Sequence, residues 1–269
     1  MDKYLIAFDL DGTMLLKIDE IAPGTVETVK EASKRGHKVV MASARAPAMT
    51  DWVYKAMKLD TPVCNFNGAM INDPTGRFVF EEIKLGQDFV RDLLSKVLPL
   101  GIIDFYIEDG NDFYTVRLPF TPYFKEKERL CSTKRITLEN VPVMSAHRLV
   151  IYSPTEEIRR EVEKILDSYG FIFHYTFSNF TRGIRTILNH ASANKWLAVK
   201  SVAEKYRIPE ENIYTFGDED NDYEMLGNAA HGYALLGSAA HIERGITPTR
   251  LTCAEGGVAD IIRNVILKD

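Results

Sequence analysis

Tyr4-Leu5-Ile6-Ala7-Phe8-Asp9-Leu10-Asp11-Gly12-Thr13 is an apolar run of strand length that ends in two aspartates one residue apart, followed by a glycine. In extended backbone, residues i and i+2 point to the same side, so the spacing predicts that both carboxylates face one place. Gly12 lets the chain turn sharply after them. Ligands collect at the carboxyl ends of strands in α/β units. Like charges packed against a buried strand without a cation are costly. Asp9 and Asp11 are therefore candidates for a metal site, provided that partners exist downstream.

Outward from this stretch the chain alternates. Residues 23–35 read as a helix with Pro23 near its start and Gly36 as its stop. Residues 37–42 read as a second strand that ends at Ser43-Ala44-Arg45, 46–58 as a second helix, and 62–66 as a third strand before Asn67-Gly68-Ala69. Strand–helix–strand–helix–strand predicts a parallel sheet with right-handed crossovers. The texture changes after Gly76. Between 82 and 186 the sequence predicts helices over 88–98 and 155–168 and strands over 105–107, 113–116 and 146–152, with a loop over 119–122. Partial alternation makes these strands antiparallel and half exposed. The βα rhythm returns with a helix over 195–206, a strand over 212–216, and a short helix stopped by Gly227. A strand over 232–236 and a closing helix over 258–267 follow. The fold class expected is α/β: a Rossmann-like parallel-sheet core (1–82 and 188–269) carrying an inserted α+β domain (83–187).

The partner for Asp9 and Asp11 is Gly217-Asp218-Glu219-Asp220-Asn221-Asp222, again at the end of an apolar strand. Two acidic turns meeting at one sheet edge can bind a hard cation through oxygen, and Mg²⁺ suits few carboxylates shared with a substrate phosphate. Asp218-x-Asp220-x-Asp222 is not an EF-hand, because the required Gly and Glu at loop positions six and twelve are Tyr223 and Ala229. Ser43 can donate a hydroxyl to a phosphoryl oxygen, and Lys195, at a helix start, adds positive charge beside backbone N–H groups.

In this order the residues resemble the four motifs of the haloacid dehalogenase-like superfamily: Asp9-Leu10-Asp11-Gly12-Thr13, Ser43, Lys195 and Gly217-Asp218-x-x-Asn221-Asp222. The closest resemblance is to its Cof-like phosphatases, in which the insertion is a large α/β cap. The resemblance implies a Mg²⁺-dependent phosphatase acting on small phosphorylated metabolites, with sugar phosphates foremost and pyridoxal phosphate or a nucleotide as other substrates. It implies Asp9 as nucleophile, forming an aspartyl-phosphate, and Asp11 as general acid/base. Mg²⁺ would lie on Asp9, Asp218 and the backbone carbonyl of Asp11, with Asp222 nearby. Ser43, Lys195 and Asn221 would hold the phosphoryl group. Ser43-Ala44-Arg45, Trp196 and Gly256-Gly257-Val258-Ala259 depart from the family pattern without removing a catalytic group. A phosphomutase or phosphotransferase using the same Asp9 chemistry is the alternative, and a phospho-aspartate switch a more distant one. Phe105, Tyr106, Phe113, Tyr114, Arg117, His174, Tyr175 and Arg182 could reach substrate, although aromatics at strand spacing are most often core.

The 269 residues, 45% hydrophobic and 26% charged, are enough for a sizeable core. A net charge of −5 speaks against nucleic-acid binding by phosphate neutralisation. Cys64, Cys131 and Cys253 lack any C-x-x-C spacing, as expected of free thiols in a reducing compartment. No apolar run reaches the ~18 residues of a membrane span, and the first strand starts too early to leave room for a signal peptide. Asn179-Phe180-Thr181 is then an accidental sequon. The expectation is a cytoplasmic protein with no membrane or nucleic-acid partner, as a monomer or small homo-oligomer.

Overall fold

The opening run forms β1 (Leu5–Phe8), with all four residues fully buried, as a central strand covered on both faces requires. The computed structural model describes residues 3–116, 122–137, 140–170, 173–180 and 183–268. After β1 come a small hairpin, β2 (Leu15–Lys17) and β3 (Glu20–Ile21), then α1 (Thr25–Lys34), β4 (Lys38–Met41), α2 (Pro47–Met57), β5 (Val63–Asn65) and β6 (Met70–Asn72). Pro47 opens α2, where its missing N–H breaks no helical hydrogen bond. The insertion holds α3 (Gln87–Val97), β7 (Asp104–Asp109), β8 (Asp112–Thr115), α4 (Pro122–Leu130), β9 (Ser132–Arg135), β10 (Arg148–Ser153), α5 (Glu156–Asp167), β11 (Phe173–Phe180) and β12 (Gly183–His190). The return contributes α6 (Lys195–Tyr206), β13 (Ile213–Gly217), α7 (Tyr223–Asn228), β14 (His231–Ala234), α8 (Ala239–Arg244) and α9 (Gly257–Ile261), which continues as a π-helical turn over Ile262–Ile266.

The chain divides into two units, Met1–Glu81 with Asn194–Asp269, and Glu82–Ala193. In the first, a parallel sheet runs β14-β13-β1-β4. β1 alternates, with Ile6 and Phe8 in one core beside Val29 and Ile262, and Leu5 and Ala7 in another beside Val199 and Val202. The third expected strand, β5, is not a full member of this sheet. It pairs antiparallel with β6 and, just past the end of β4, joins the sheet edge through the isolated Ala42–Cys64 bridge. Gly227 does not stop α7, which runs to Asn228.

In the second unit a six-stranded sheet runs β11-β12-β10-β7-β8-β9, antiparallel except for β8 with β9. The expected return to the core at 187/188 falls inside β12, whose residues through His190 stay paired with β11. β7 and β10 are not half exposed: every residue but Asp109 is buried. Phe105, Ile107, Leu149 and Ile151 pack with α3 and α5 residues such as Leu94 and Val162. The opposite positions bury ionic partners. Glu108 on β7 is paired with Lys127 of α4 and, at 3.5 Å, with Arg148 of β10. The rings of Phe113, Tyr106 and Tyr123 lie 4.7, 5.2 and 5.6 Å from the Lys127 ammonium. Pro122 starts α4, so it is not loop. Residues 119–121, Arg117, Thr181, Arg182 and the His174 side chain lie outside the described residues.

Candidate active site

The site is built at the carboxyl edge of the parallel sheet, where β1 lies between β4 and β13. Phe8 pairs with Met41 on one side and Phe216 on the other. The residues leaving these strands, Asp9, Ser43 and Asp218, therefore emerge side by side. The Asp9 N–H donates to the Phe216 carbonyl at 2.9 Å, and Ala42 N–H to Phe8 at 2.9 Å. Lys195 arrives from the first position of α6, whose start is fixed by Asn194 accepting from the N–H groups of Trp196 and Leu197. Gly68, at φ 91°, lets the 66–68 turn lie against that start, because a Cβ there would come within 2.4 Å of the Asn194 carbonyl oxygen.

Lys195 is buried and donates to Asp9 Oδ1 at 2.6 Å and Asp222 Oδ1 at 2.8 Å. Asp222, wholly buried, also accepts at Oδ2 from the N–H groups of Asp218 and Glu219. Thr13 Oγ1 donates to Asp218 Oδ1 at 2.9 Å. Gly12, at φ 80°, makes room for that carboxylate: a Cβ would fall 2.2 Å from Asp218 Oδ2. Asp9, Asp218 and Asp222 each bring a carboxylate oxygen within 4.8 Å of the others.

Three clustered carboxylates face one ammonium, which leaves an excess of two negative charges. Burial raises Asp9 well above the ordinary carboxylate range, Lys195 lowers it in part, and Asp222 raises it further. Burial and then the Asp222 charge push Asp218 up to about 7. Burial alone would lower Lys195, but the Asp222 and Asp9 charges more than offset this and raise it. A cluster with two more carboxylates than cations fits a hard divalent cation, which would supply the missing charge.

Asp11 does not point with Asp9. Its exposed carboxylate turns to Arg45, because the chain bends at Gly12 and strand alternation no longer holds beyond Phe8. Ser43 is buried and its Oγ accepts from Arg45 N–H at 3.1 Å, leaving its own hydroxyl hydrogen to donate. Asn221 is exposed and donates from Nδ2 to Asn67 Oδ1 at 3.1 Å. Trp196 is buried with Leu5, Ala7 and Val199, so its bulk fills core. Gly256, at φ 82°, stands where a Cβ would meet the Pro23 carbonyl oxygen at 2.5 Å, which accounts for a glycine there. Sequence reasoning passed over Arg45 and Thr13 as working residues. Neither was marked by spacing, because both contacts are long-range and depend on the bend at Gly12.

A family model for haloacid dehalogenase-like hydrolases matches residues 6–262. The chain belongs to this family. This haloacid dehalogenase-like hydrolase is similar to the 5-amino-6-(5-phospho-D-ribitylamino)uracil phosphatase YitU of Bacillus subtilis, at 26% identity over 97% of this chain and 96% of the relative. It is also similar to the phosphatase YwpJ of the same organism, at 25% identity over 97% and 99%. Among solved structures, a haloacid dehalogenase-like hydrolase of Bacteroides thetaiotaomicron superposes with a TM-score of 0.81, at 20% identity over 98% of this chain and all of that one. The protein is an enzyme, a phosphoric monoester hydrolase of the haloacid dehalogenase type.

Proposed function

We propose that the protein is a Mg²⁺-dependent phosphatase that hydrolyses small phosphomonoesters, sugar phosphates foremost, through an aspartyl-phosphate on Asp9. The observation that carries this reading is the excess of clustered carboxylates, buried Asp9 and Asp222 and half-buried Asp218, over the single cation Lys195. Mg²⁺ would be held by Asp9, Asp218 and the backbone carbonyl of Asp11, with Asp222 supporting it nearby, and when bound would neutralise charge on the phosphoryl group. Lys195 holds Asp9 Oδ1, which leaves Oδ2 to attack phosphorus. The Ser43 hydroxyl and the Lys195 ammonium would hold phosphoryl oxygens, and Asn221 would line the same pocket. Asp11 protonates the leaving oxygen and then takes a proton from the water that hydrolyses the phospho-enzyme.

The reading includes a cytoplasmic location and a monomer or small homo-oligomer with neither nucleic-acid nor membrane partners. The net charge of −5 and three free cysteines support it. Among the described residues no helix is long and apolar enough to cross a membrane. The test is phosphate release from sugar phosphates, nucleotides, pyridoxal phosphate and an aryl phosphate, with Mg²⁺, with chelator, and with Asp9→Asn. Metal-dependent turnover lost in the variant is expected. Transfer of the phosphoryl group to a second sugar with no free phosphate would overturn hydrolysis in favour of a mutase.

A further inference from the structure

Both carboxylate oxygens of Asp11 accept from Arg45: Nε donates to Oδ2 at 2.9 Å and Nη2 to Oδ1 at 2.5 Å, the two-pronged geometry a guanidinium makes with a carboxylate. The two halves of the pair are unequally fixed. The Arg45 side chain is 1% exposed and that of Asp11 54%. Nη1 also donates to the carbonyls of Ile18 at 3.3 Å and Met49 at 3.5 Å. The Arg45 backbone is tied too, its N–H to Ser43 Oγ and its carbonyl to Asn65 Nδ2 and Phe66 N–H. Arg45 is the anchor, and Asp11 is the half that can turn.

We propose that Arg45 is a positioning residue for Asp11, an inference that rests on the phosphatase reading above. It receives the Asp11 carboxylate left after proton donation and holds it until water is activated. In the first step the Asp9 oxygen–phosphorus bond forms and the ester phosphorus–oxygen bond breaks. The Asp11 proton passes to the departing ester oxygen. In the second step the water oxygen bonds phosphorus, the Asp9 oxygen–phosphorus bond breaks, and a water proton returns to Asp11, which then leaves the guanidinium. With both oxygens accepting from Arg45, the carboxylate is held in one orientation.

A leaving-group comparison tests this. An alkyl ester such as glycerol phosphate needs its leaving oxygen protonated, whereas p-nitrophenyl phosphate does not. kcat/KM is measured on both for the wild type, Asp11→Asn, Arg45→Met, Arg45→Lys and the Asp11→Asn/Arg45→Met double variant. Asp11→Asn is expected to lose about 100-fold or more on the alkyl ester and under about 10-fold on the aryl ester. Arg45→Met is expected to lose roughly 10- to 100-fold on the alkyl ester and under about 3-fold on the aryl ester, with Arg45→Lys between it and wild type. In the Asp11→Asn background Arg45→Met should cost no further factor beyond about two. The ratio of the two substrates does not depend on how much protein is folded, and Arg45→Lys keeps a cation in the buried position. Equal losses on both esters, or losses that multiply in the double variant, would overturn the proposal. If Asp11→Asn itself falls equally on both esters, the acid/base reading fails first and the Arg45 proposal falls with it.

Discussion

In the unit that holds the site, one ammonium, Lys195, faces the carboxylates of Asp9, Asp218 and Asp222. In the inserted unit one carboxylate, Glu108, faces the ammonium of Lys127 and the guanidinium of Arg148. Both clusters are largely buried and both grow from strand ends or faces, yet their charge balances are opposite. Burial would raise Glu108, but Lys127 and Arg148 more than offset it and bring Glu108 below the ordinary glutamate range. Asp9 and Asp218 are moved the other way. A carboxylate held below its ordinary range is already satisfied by its protein neighbours. One raised above it still lacks a cation. The balance of charge, more than burial or acidity, separates the working cluster from the scaffold.

That contrast can be broken most decisively at Asp9. Asp9→Asn should abolish phosphate release by at least about 10⁴-fold while the protein stays folded, as for loss of a covalent nucleophile. Retained turnover would remove the distinction between the clusters. Glu108→Gln should do the reverse, lowering unfolding free energy by about 3–5 kcal/mol because two buried cations lose their partner. Urea unfolding measures this, and kcat of the folded protein should stay within a few-fold.

The pH dependence should also split. In chelator, Asp218 titrates near 7 when folded, against its ordinary 3.8. The folded state then holds more protons than the unfolded chain between about pH 4 and 7, so this group lowers stability by up to a few kcal/mol as pH rises through that window. Glu108 is lowered, so its contribution is present above its ordinary value of 4.5 and is lost as pH falls through its folded value. Unfolding midpoints measured from pH 3 to 8 in chelator should carry both slopes, and Asp218→Asn should reduce only the first, to which the raised Asp9 also contributes. Adding Mg²⁺ at pH 8 to about 100 times its dissociation constant should restore about 2.7 kcal/mol. No Mg²⁺ response would sever the link between raised carboxylates and a missing cation. The smallest effect is expected at Asn221→Ala, which removes one hydrogen bond from this exposed side chain to Asn67 and should cost about 0.5–1.5 kcal/mol in urea unfolding.

Much of the parallel unit was legible because its signals are local. The helix expected over 195–206 forms as Lys195–Tyr206, and Thr155 caps the helix expected over 155–168. Asp9, Ser43, Lys195, Asp218 and Asp222 were all readable as strand-end or helix-start residues. The Asp11–Arg45 pair was not, since it depends on how the chain bends after Gly12. The Glu108 cluster was also hidden. Asp104, Tyr106 and Glu108 alternate with Phe105 and Ile107, a pattern that reads as a solvated face, and only the pairing with Lys127 and Arg148 allows its burial. The β2–β3 hairpin, three and two residues long, carries too little pattern of its own.

Because β1 takes β4 as one neighbour and β13 as the other, the order in which a ribosome delivers the chain matters. When residues 82–193 have emerged, every strand of the inserted sheet is available to pair, whereas β1 still has one edge bare. Leu5 must wait for Ile213 and Phe8 for Phe216. The inserted sheet can therefore finish folding before β1 does, and Asp9 has no acidic neighbours from Asp218 and Asp222 until residue 222 has been made. A nascent chain stalled short of residue 213 would be half built and chemically silent.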